Sequence, residues 1–333
     1  MAAEDLVREL RAFIGKPGAL EVARDAVNQP MIRHWCDAME DANPAYTDAA
    51  FAARSVHRQI VAPPAMLNAW TMPGLAGRPA GPSDPAGEVY RALDAAGFSS
   101  VVATDTTHEY ERYLRLGDLV HGAGEVVEVS DEKRTALGVG HFVTTQTVYT
   151  TQSGEVVGRM RFRILKFKPG TGRVAAAAAA QSEAAARELP ARTARRLETL
   201  RAGEAKPGDA LAPCPLPITA TRIVAGAIAS RDYQDVHHDR DLAKLRGSPD
   251  IFMNILTTSG IVARYASDWA GPLAQLRRLS IRLGAPNYPG DAMLLTGSVT
   301  SVSANGRELE LALRGDNRLG PHVTGSVALT LAE

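Results

Sequence analysis

The chain has 333 residues, enough for about two domains at ~100–200 residues each. Lys plus Arg and Asp plus Glu both number 37, so the net charge is zero, which argues against nucleic acid or an anionic membrane surface as a partner. Hydrophobic residues at 45% and charged residues at 22% are those of a folded globular chain, and no apolar run reaches the ~18–20 residues of a membrane span.

The charged start MAAEDLVREL has no apolar core and does not read as a signal peptide. Cys36 and Cys214 fit neither a zinc site nor a disulfide framework. This composition is expected of a cytoplasmic protein. Residues 1–170 read as a first domain. Helical text leads to EDANPAYTDAAFA from Glu40, then to IVAPPAML from Ile60 and the Gly/Pro-rich run MPGLAGRPAGPSDPAG. YLRLGD closes on Gly117-Asp118. Met160, Phe162 and Ile164 then alternate with Arg159, Arg161 and Arg163, the period of a strand with one buried face. The three arginines offer a phosphate site or, more simply, a solvated strand face.

Residues 171–217 are Ala-rich, then charged, then broken by Pro190, Pro207, Pro213, Pro215 and Pro217, and read as a linker. Residues 218–333 read as a second domain. RDYQDVHHDRDLA starts at Arg231 and DIFMNILT at Asp250. Ile255, Leu256, Ser259, Val262, Ala263 and Ala266 share a helical face of apolar and small residues, which predicts a buried helix wrapped by a curved sheet. Strand alternation follows at Leu279, Ile281 and Leu283, at Leu309, Leu311 and Leu313, and at Val327, Leu329 and Leu331. APNYPGD closes on Gly290-Asp291.

The two domains thus repeat one order of signals: an Asp followed by Tyr46 or His237, an apolar helix start, a Gly-Asp turn and a Gly-containing hairpin. This reads as gene duplication. The first copy is longer between Asp41 and Gly117, which places an insertion in its Gly/Pro-rich run.

Asp232 and His237 carry the sharpest chemistry. An imidazole titrating near neutrality takes a proton, and a carboxylate beside it orients a water, so the pair suits adding water across a polarised double bond. On spacing alone, two surface polar groups fit equally well. His237, His238 and Asp239 do not make a metal cluster, because adjacent side chains diverge. Asp239 reads instead as the N-cap of DRDLAKLRG, a short helix stopped by Gly247.

The pattern resembles the MaoC-like, (R)-specific enoyl-CoA hydratases of the hot-dog fold, whose motif is Asp-x-Asn-Pro-aliphatic-His. Asp232, Val236, His237 and Ala243 match it; Gln234 and Asp235 replace the Asn-Pro. The resemblance implies an α+β double hot-dog, each half a curved antiparallel sheet wrapped round a central helix. It implies Asp232 and His237 as the catalytic pair. The family's His-Gly at the helix start is Met253-Asn254 here, so the backbone N–H of Asn254 is expected to polarise the thioester carbonyl. In the first domain Tyr46 replaces the His, and Pro63 and Pro64 stand at the helix start. A phenol is a poor base at neutral pH and proline has no N–H, so that copy is expected to be non-catalytic.

RDYQDVHHDRDLA, DIFMNILTTSG and RYASDWAGP are similar to the catalytic subunit of actinobacterial hydratases acting on steroid side-chain enoyl-CoA thioesters. The first domain resembles the non-catalytic hot-dog of their partner subunit, which makes the chain a fusion of the two. The resemblance therefore implies hydration of a 2-enoyl-CoA with a bulky, steroid-like acyl group. No cofactor is expected beyond the coenzyme A of the substrate, and the expected assembly is a homodimer or higher homo-oligomer. The short first-domain helix, from Ala65 to about Met72, is expected to leave an acyl pocket near Trp70, Met72 and Met253. Dehydration of a 3-hydroxyacyl thioester on CoA or a carrier protein uses the same residues and stays open, as does a non-catalytic acyl-thioester-binding protein.

Overall fold

The computed structural model describes residues 3–75, 77, 84–172, 190–191 and 193–331. Eleven strands form one antiparallel sheet: β1 (Pro17–Val22), β2 (Ser100–Tyr110), β3 (His121–Val129), β4 (Lys133–Arg134), β5 (Val139–Thr150), β6 (Val156–Phe167), β7 (Ala210–Ile218), β8 (Gln275–Leu283), β9 (Asp291–Val302), β10 (Glu308–Asn317) and β11 (Gly320–Thr330). The order across it is β1-β3-β5-β6-β2-β8-β11-β10-β9-β7, with β4 beside β5. Each half counted from its outer edge runs first, third, fourth, fifth, second strand, leaving the short β4 aside. The halves therefore share one topology, and they join edge to edge where β2 meets β8. At that seam Thr107 Oγ1 and Ser280 Oγ share a hydrogen bond of 2.8 Å. The duplication expected from the repeat is thus present in the sheet. Gly117 and Gly290, at the two Gly-Asp turns, both take the left-handed backbone that favours glycine (φ 90° and 86°).

In the second half the expected helix, Ile255–Ala270, is buried nearly throughout. Neighbouring helices approach it closely enough to require glycine. A Cβ on Gly226 of helix Ala220–Ala229 would meet Thr257 Oγ1 at 2.2 Å, and one on Gly260 would meet Met39 Sδ, of helix Gln29–Met39, at 2.7 Å. The first half departs from the expectation of a central helix in each half. Its counterpart is a seven-residue 3-10 helix, Pro64–Trp70. Pro73 ends it, because the residue before a proline is pushed out of helical geometry. Gly74 (φ 73°) then turns the chain away. Part of the expected insertion lies outside the described residues (76 and 78–83). Beyond it, helix Pro85–Ala95 packs Val89 and Leu93 against Leu10, Val126 and Val143.

Residues 210–217, expected as the end of a linker, are strand β7, paired with β9 from Ala210↔Ser298 to Ile218↔Asp291. Pro213, Pro215 and Pro217 fall two apart, so their missing N–H groups share the side of the strand that faces no partner, as an edge strand allows. Most of the Ala-rich linker, residues 173–189 and 192, lies outside the described residues. Residues 196–200 lie against the end of the central helix, where Arg196 N–H donates to Asp268 O and Leu200 N–H to Ala270 O. Of the strand-face arginines, Arg159 pairs with Glu111 and Arg163 with Glu128, the bonding of a solvated face. No helix among the described residues is long and apolar enough to cross a membrane.

Candidate active site

Helix Ala220–Ala229 ends at Ser230, whose hydroxyl donates back to Gly226 O at 2.8 Å. Arg231 takes a left-handed backbone (φ 58°), and Asp232 N–H returns to Ala227 O at 2.9 Å. This reversal sets the Asp232 carboxylate under the start of the central helix. One turn of 3-10 helix, Asp235–His237, then brings His237 over it. Asp239 caps the following helix, Arg240–Leu245, through Asp241 N–H and Leu242 N–H, and Gly247 (φ 87°) lies just past its end, as the sequence predicts. Asp235 faces outward in a two-pronged pair with Arg246 at 2.7 and 2.6 Å, and His238 turns to the Tyr233 carbonyl. Among the described residues no His, Cys, Asp and Glu side chains group into a metal site.

The His237 ring is fixed on both sides. Nδ1 lies 2.7 Å from the Phe252 carbonyl, and the ring meets Phe252 edge to face. A carbonyl only accepts, so Nδ1 carries the proton and the neutral ring keeps its lone pair on Nε2. Nε2 is 3.5 Å from Asp232 Oδ2. Burial lowers the His237 pKa below its ordinary 6.5, against the opposing pull of Asp232 and the Phe252 carbonyl. The imidazole is therefore a neutral base at pH 7.

Asn254 is the N-cap of the central helix. Its Oδ1 accepts from Thr257 N–H at 2.8 Å, and its Nδ2 donates to Ser230 Oγ and to Asp232 Oδ2, both at 3.0 Å. The backbone N–H groups of Asn254, Ile255 and Leu256 have no acceptor among the described residues. They form the positive end of a buried 16-residue helix, suited to developing negative charge.

Asp232, His237, Met253 and Asn254 line one end of a cavity of about 1370 Å³, and Trp70 and Met72 line it from the first half. All six residues singled out in the sequence thus border one space. Beyond Trp70 the cavity runs inside the first-half sheet, past Gly124, Thr147, Tyr149, Met160, Phe162 and Ile164. The sequence reading missed Ser230, Phe252 and the carboxamide of Asn254, none of which has a motif position of its own. It also missed His322, which follows the Gly-containing hairpin of the second half. His322 lines the cavity, bonded to Ala285 O and Thr258 Oγ1, and burial takes its pKa to about 4.

The matching place in the first half is closed. The space between Asp41, Tyr46, Pro63, Pro64 and Gly260 is about 10 Å³. Asp41 Oδ1 accepts from Asn43 N–H at 3.0 Å and lies 3.7 Å from Arg195 Nη2, which pairs with Asp268 at 2.9 Å. Burial pushes the Asp41 pKa up to about 6 and that of Tyr46 well above its ordinary value.

Residues 12–160 match the family of FAS1-like dehydratase domain regions. The chain is 44% identical to the 3-oxo-4,17-pregnadiene-20-carboxyl-CoA hydratase alpha subunit of Mycobacterium tuberculosis, over 50% of this chain and 52% of that one. It is 49% identical to the beta subunit of the same name and organism, over 34% of this chain and 86% of that one. It spans about half the length of the alpha subunits it matches. A MaoC-like dehydratase structure superposes with a TM-score of 0.71 at 21% identity, over 96% of this chain and 99% of the other. A Mycobacterium tuberculosis protein with a double hot-dog fold gives 0.61 at 12%, over 95% and 96%.

Proposed function

The chain belongs to the MaoC-like hydratase and dehydratase family, and from that premise we propose that it adds water to a 2-enoyl-CoA whose acyl group is bulky and polycyclic. One observation carries the reading: the Asp232–His237 pair and the free helix end sit together at one end of a cavity that runs on inside the first-half sheet, where the helical counterpart is only seven residues long. Nε2 of His237 lies 3.5 Å from the Asp232 carboxylate, and imidazole and carboxylate both present lone pairs, so a water bound beside them donates a hydrogen bond to each. His237 takes the water proton as oxygen bonds to the β-carbon. The electron pair of the double bond moves to the thioester oxygen, which the N–H groups of Asn254 and its neighbours stabilise. The proton held by the pair then passes to the α-carbon. Water addition transfers no electrons, so no redox cofactor is called for, and the thioester brings its own coenzyme A.

The similarity of one chain to both an alpha and a beta hydratase subunit supports reading it as the two parts in one polypeptide, the first half supplying acyl space and the second half the chemistry. Such a chain assembles as a homo-oligomer and acts in the cytoplasm. The test is a panel of enoyl-CoA thioesters from crotonyl to tetracyclic, followed by loss of absorbance at the conjugated thioester, with the matching 3-hydroxyacyl-CoA for the reverse direction. Turnover of none of them in either direction would leave an acyl-binding protein.

A further inference from the structure

We propose that the side chain of Asn254 is a positioning residue, tying the water-activating carboxylate to the carbonyl-polarising helix end; the proposal rests on the hydratase reading above. Where the family motif has glycine, this chain places a carboxamide that is 3% exposed, with three hydrogen bonds. Its orientation is forced. Oδ1 must accept, because its partner is Thr257 N–H, so Nδ2 faces Ser230 and Asp232. The Ser230 hydroxyl hydrogen is taken by Gly226 O, so Ser230 offers Asn254 only a lone pair. One Nδ2 hydrogen therefore goes to Ser230 and the other to Asp232 Oδ2.

Two consequences follow from this bonding. Oδ2 of Asp232 is held in place, while Oδ1 keeps, among the described residues, only a 3.5 Å contact from Gln234 N–H and is open to a water. The donor to the carboxylate and the N–H at the helix end also belong to one residue, so covalent geometry sets the spacing between the water and the thioester oxygen. The first half supports this assignment. Its equivalent N-cap is Pro63, with neither carboxamide nor N–H, and Asp41 there leans toward Arg195 instead.

Asn254→Ser keeps an N-cap oxygen for Thr257, but its hydroxyl stands one bond short of the Nδ2 position and so withdraws the donor that reaches Asp232. Asn254→Gly keeps the backbone N–H, and glycine is tolerated as an N-cap. The expected result for both is a kcat reduced on the order of 10²-fold, the usual cost of a misplaced reacting group, with KM within about threefold. Asn254→Ser should keep a near-normal melting temperature. Wild-type kcat in Asn254→Ser would reduce Asn254 to a helix cap and overturn the proposal, as would a raised KM at unchanged kcat. If both variants fail to fold, the side chain is structural and the proposal falls. If the wild type hydrates no enoyl-CoA, the hydratase reading falls and takes the proposal with it; an active wild type beside a fully active Asn254→Ser sinks the proposal alone.

Discussion

In each half a helix ends in a left-handed residue, Glu40 (φ 53°) or Arg231 (φ 58°), followed by an aspartate whose N–H returns to the carbonyl five residues back, Cys36 or Ala227. An Asx turn, an aromatic or imidazole side chain, and an aspartate N-cap follow at the same offsets: Asn43, Tyr46 and Asp48, then Gln234, His237 and Asp239. The backbone device is common to both, so the turn itself is scaffold. The differences are Tyr46 for His237 and Pro63 for Asn254, and they remove the base, the carboxamide and the helix-end donor together. Space is exchanged as well. The first half has a filled site and a chamber beside its short helix; the second has an open site and a sheet packed on a 16-residue helix. On the function proposed above, one copy has given up chemistry and holds the acyl group for the other.

The largest expected effect tests this division directly. Asp232→Asn or His237→Ala should lower kcat/KM for hydration by ~10²–10⁴-fold each, the range of general acid–base catalysis, with the fold kept. Asp41→Asn and Tyr46→Phe should leave it within a factor of about three, as for changes outside the reacting groups. Comparable losses at the two sites, measured by steady-state kinetics beside circular dichroism, would mean that the closed pocket opens in solution and both copies work.

Much of this contrast was legible in the sequence. Period-two runs located β8, β10 and β11, the small apolar face located the central helix, and spacing paired Asp41 with Asp232. Pro63 and Pro64 already told against a helix-end donor in the first half. What was not legible has local causes. Pro213, Pro215 and Pro217 read as breakers because their meaning depends on which edge of β7 faces a partner, a tertiary fact. Asn254 was credited only with its backbone, since its side-chain partners Ser230 and Asp232 lie more than 20 positions away. The helix Pro85–Ala95 was hidden behind the Gly/Pro-rich run that precedes it.

The exchange of space makes the next prediction. Gly124 of β3 lines the first-half chamber, and a Cβ there would meet nothing closer than Thr147 Oγ1 at 3.7 Å. Gly124→Val should therefore fold and fill part of the chamber. It should cut kcat/KM for a tetracyclic enoyl-CoA by about tenfold, the usual effect of one or two methyl groups on pocket fit, and spare crotonyl-CoA. In the wild type the polycyclic substrate should be preferred, since its buried apolar area contributes ~25 cal/mol per Å². If crotonyl-CoA is the better wild-type substrate, or if Gly124→Val slows both equally, the chamber is not the acyl site.

The pH–rate profile separates the halves more finely. His237 must be neutral to accept the water proton, and burial holds its pKa below 6.5. Hydration should therefore be flat above pH 6.5 and fall about tenfold per unit once pH drops below the folded pKa. Asp41, with a pKa near 6, also titrates on the acid side of neutrality. The acid limb should persist unchanged in Asp41→Asn; if it moves, the first-half carboxylate is coupled to turnover.

The smallest effect concerns stability, and its sign is opposite to that expected of a useful carboxylate. The Asp41 pKa rises from its ordinary 3.8 to about 6, burial outweighing Asn43 N–H and Arg195. A raised folded pKa means that the folded state binds the proton more tightly. The contribution of this group is favourable below pH 3.8 and is lost as pH rises through 6. At neutral pH the buried carboxylate then costs up to roughly 3 kcal/mol, at 1.36 kcal/mol per unit. Asparagine keeps an oxygen for Asn43 N–H, and Arg195 keeps Asp268 at 2.9 Å. Asp41→Asn should therefore raise the melting temperature by a few degrees at pH 7, at ~2–4 °C per kcal/mol for a chain of this size or somewhat less, and the gain should vanish near pH 4. Thermal unfolding of the two proteins at both pH values checks it. A variant less stable than wild type at pH 7 would mean that Arg195 repays the burial of Asp41. The aspartate would then be a structural ion pair, not a remnant of the catalytic turn.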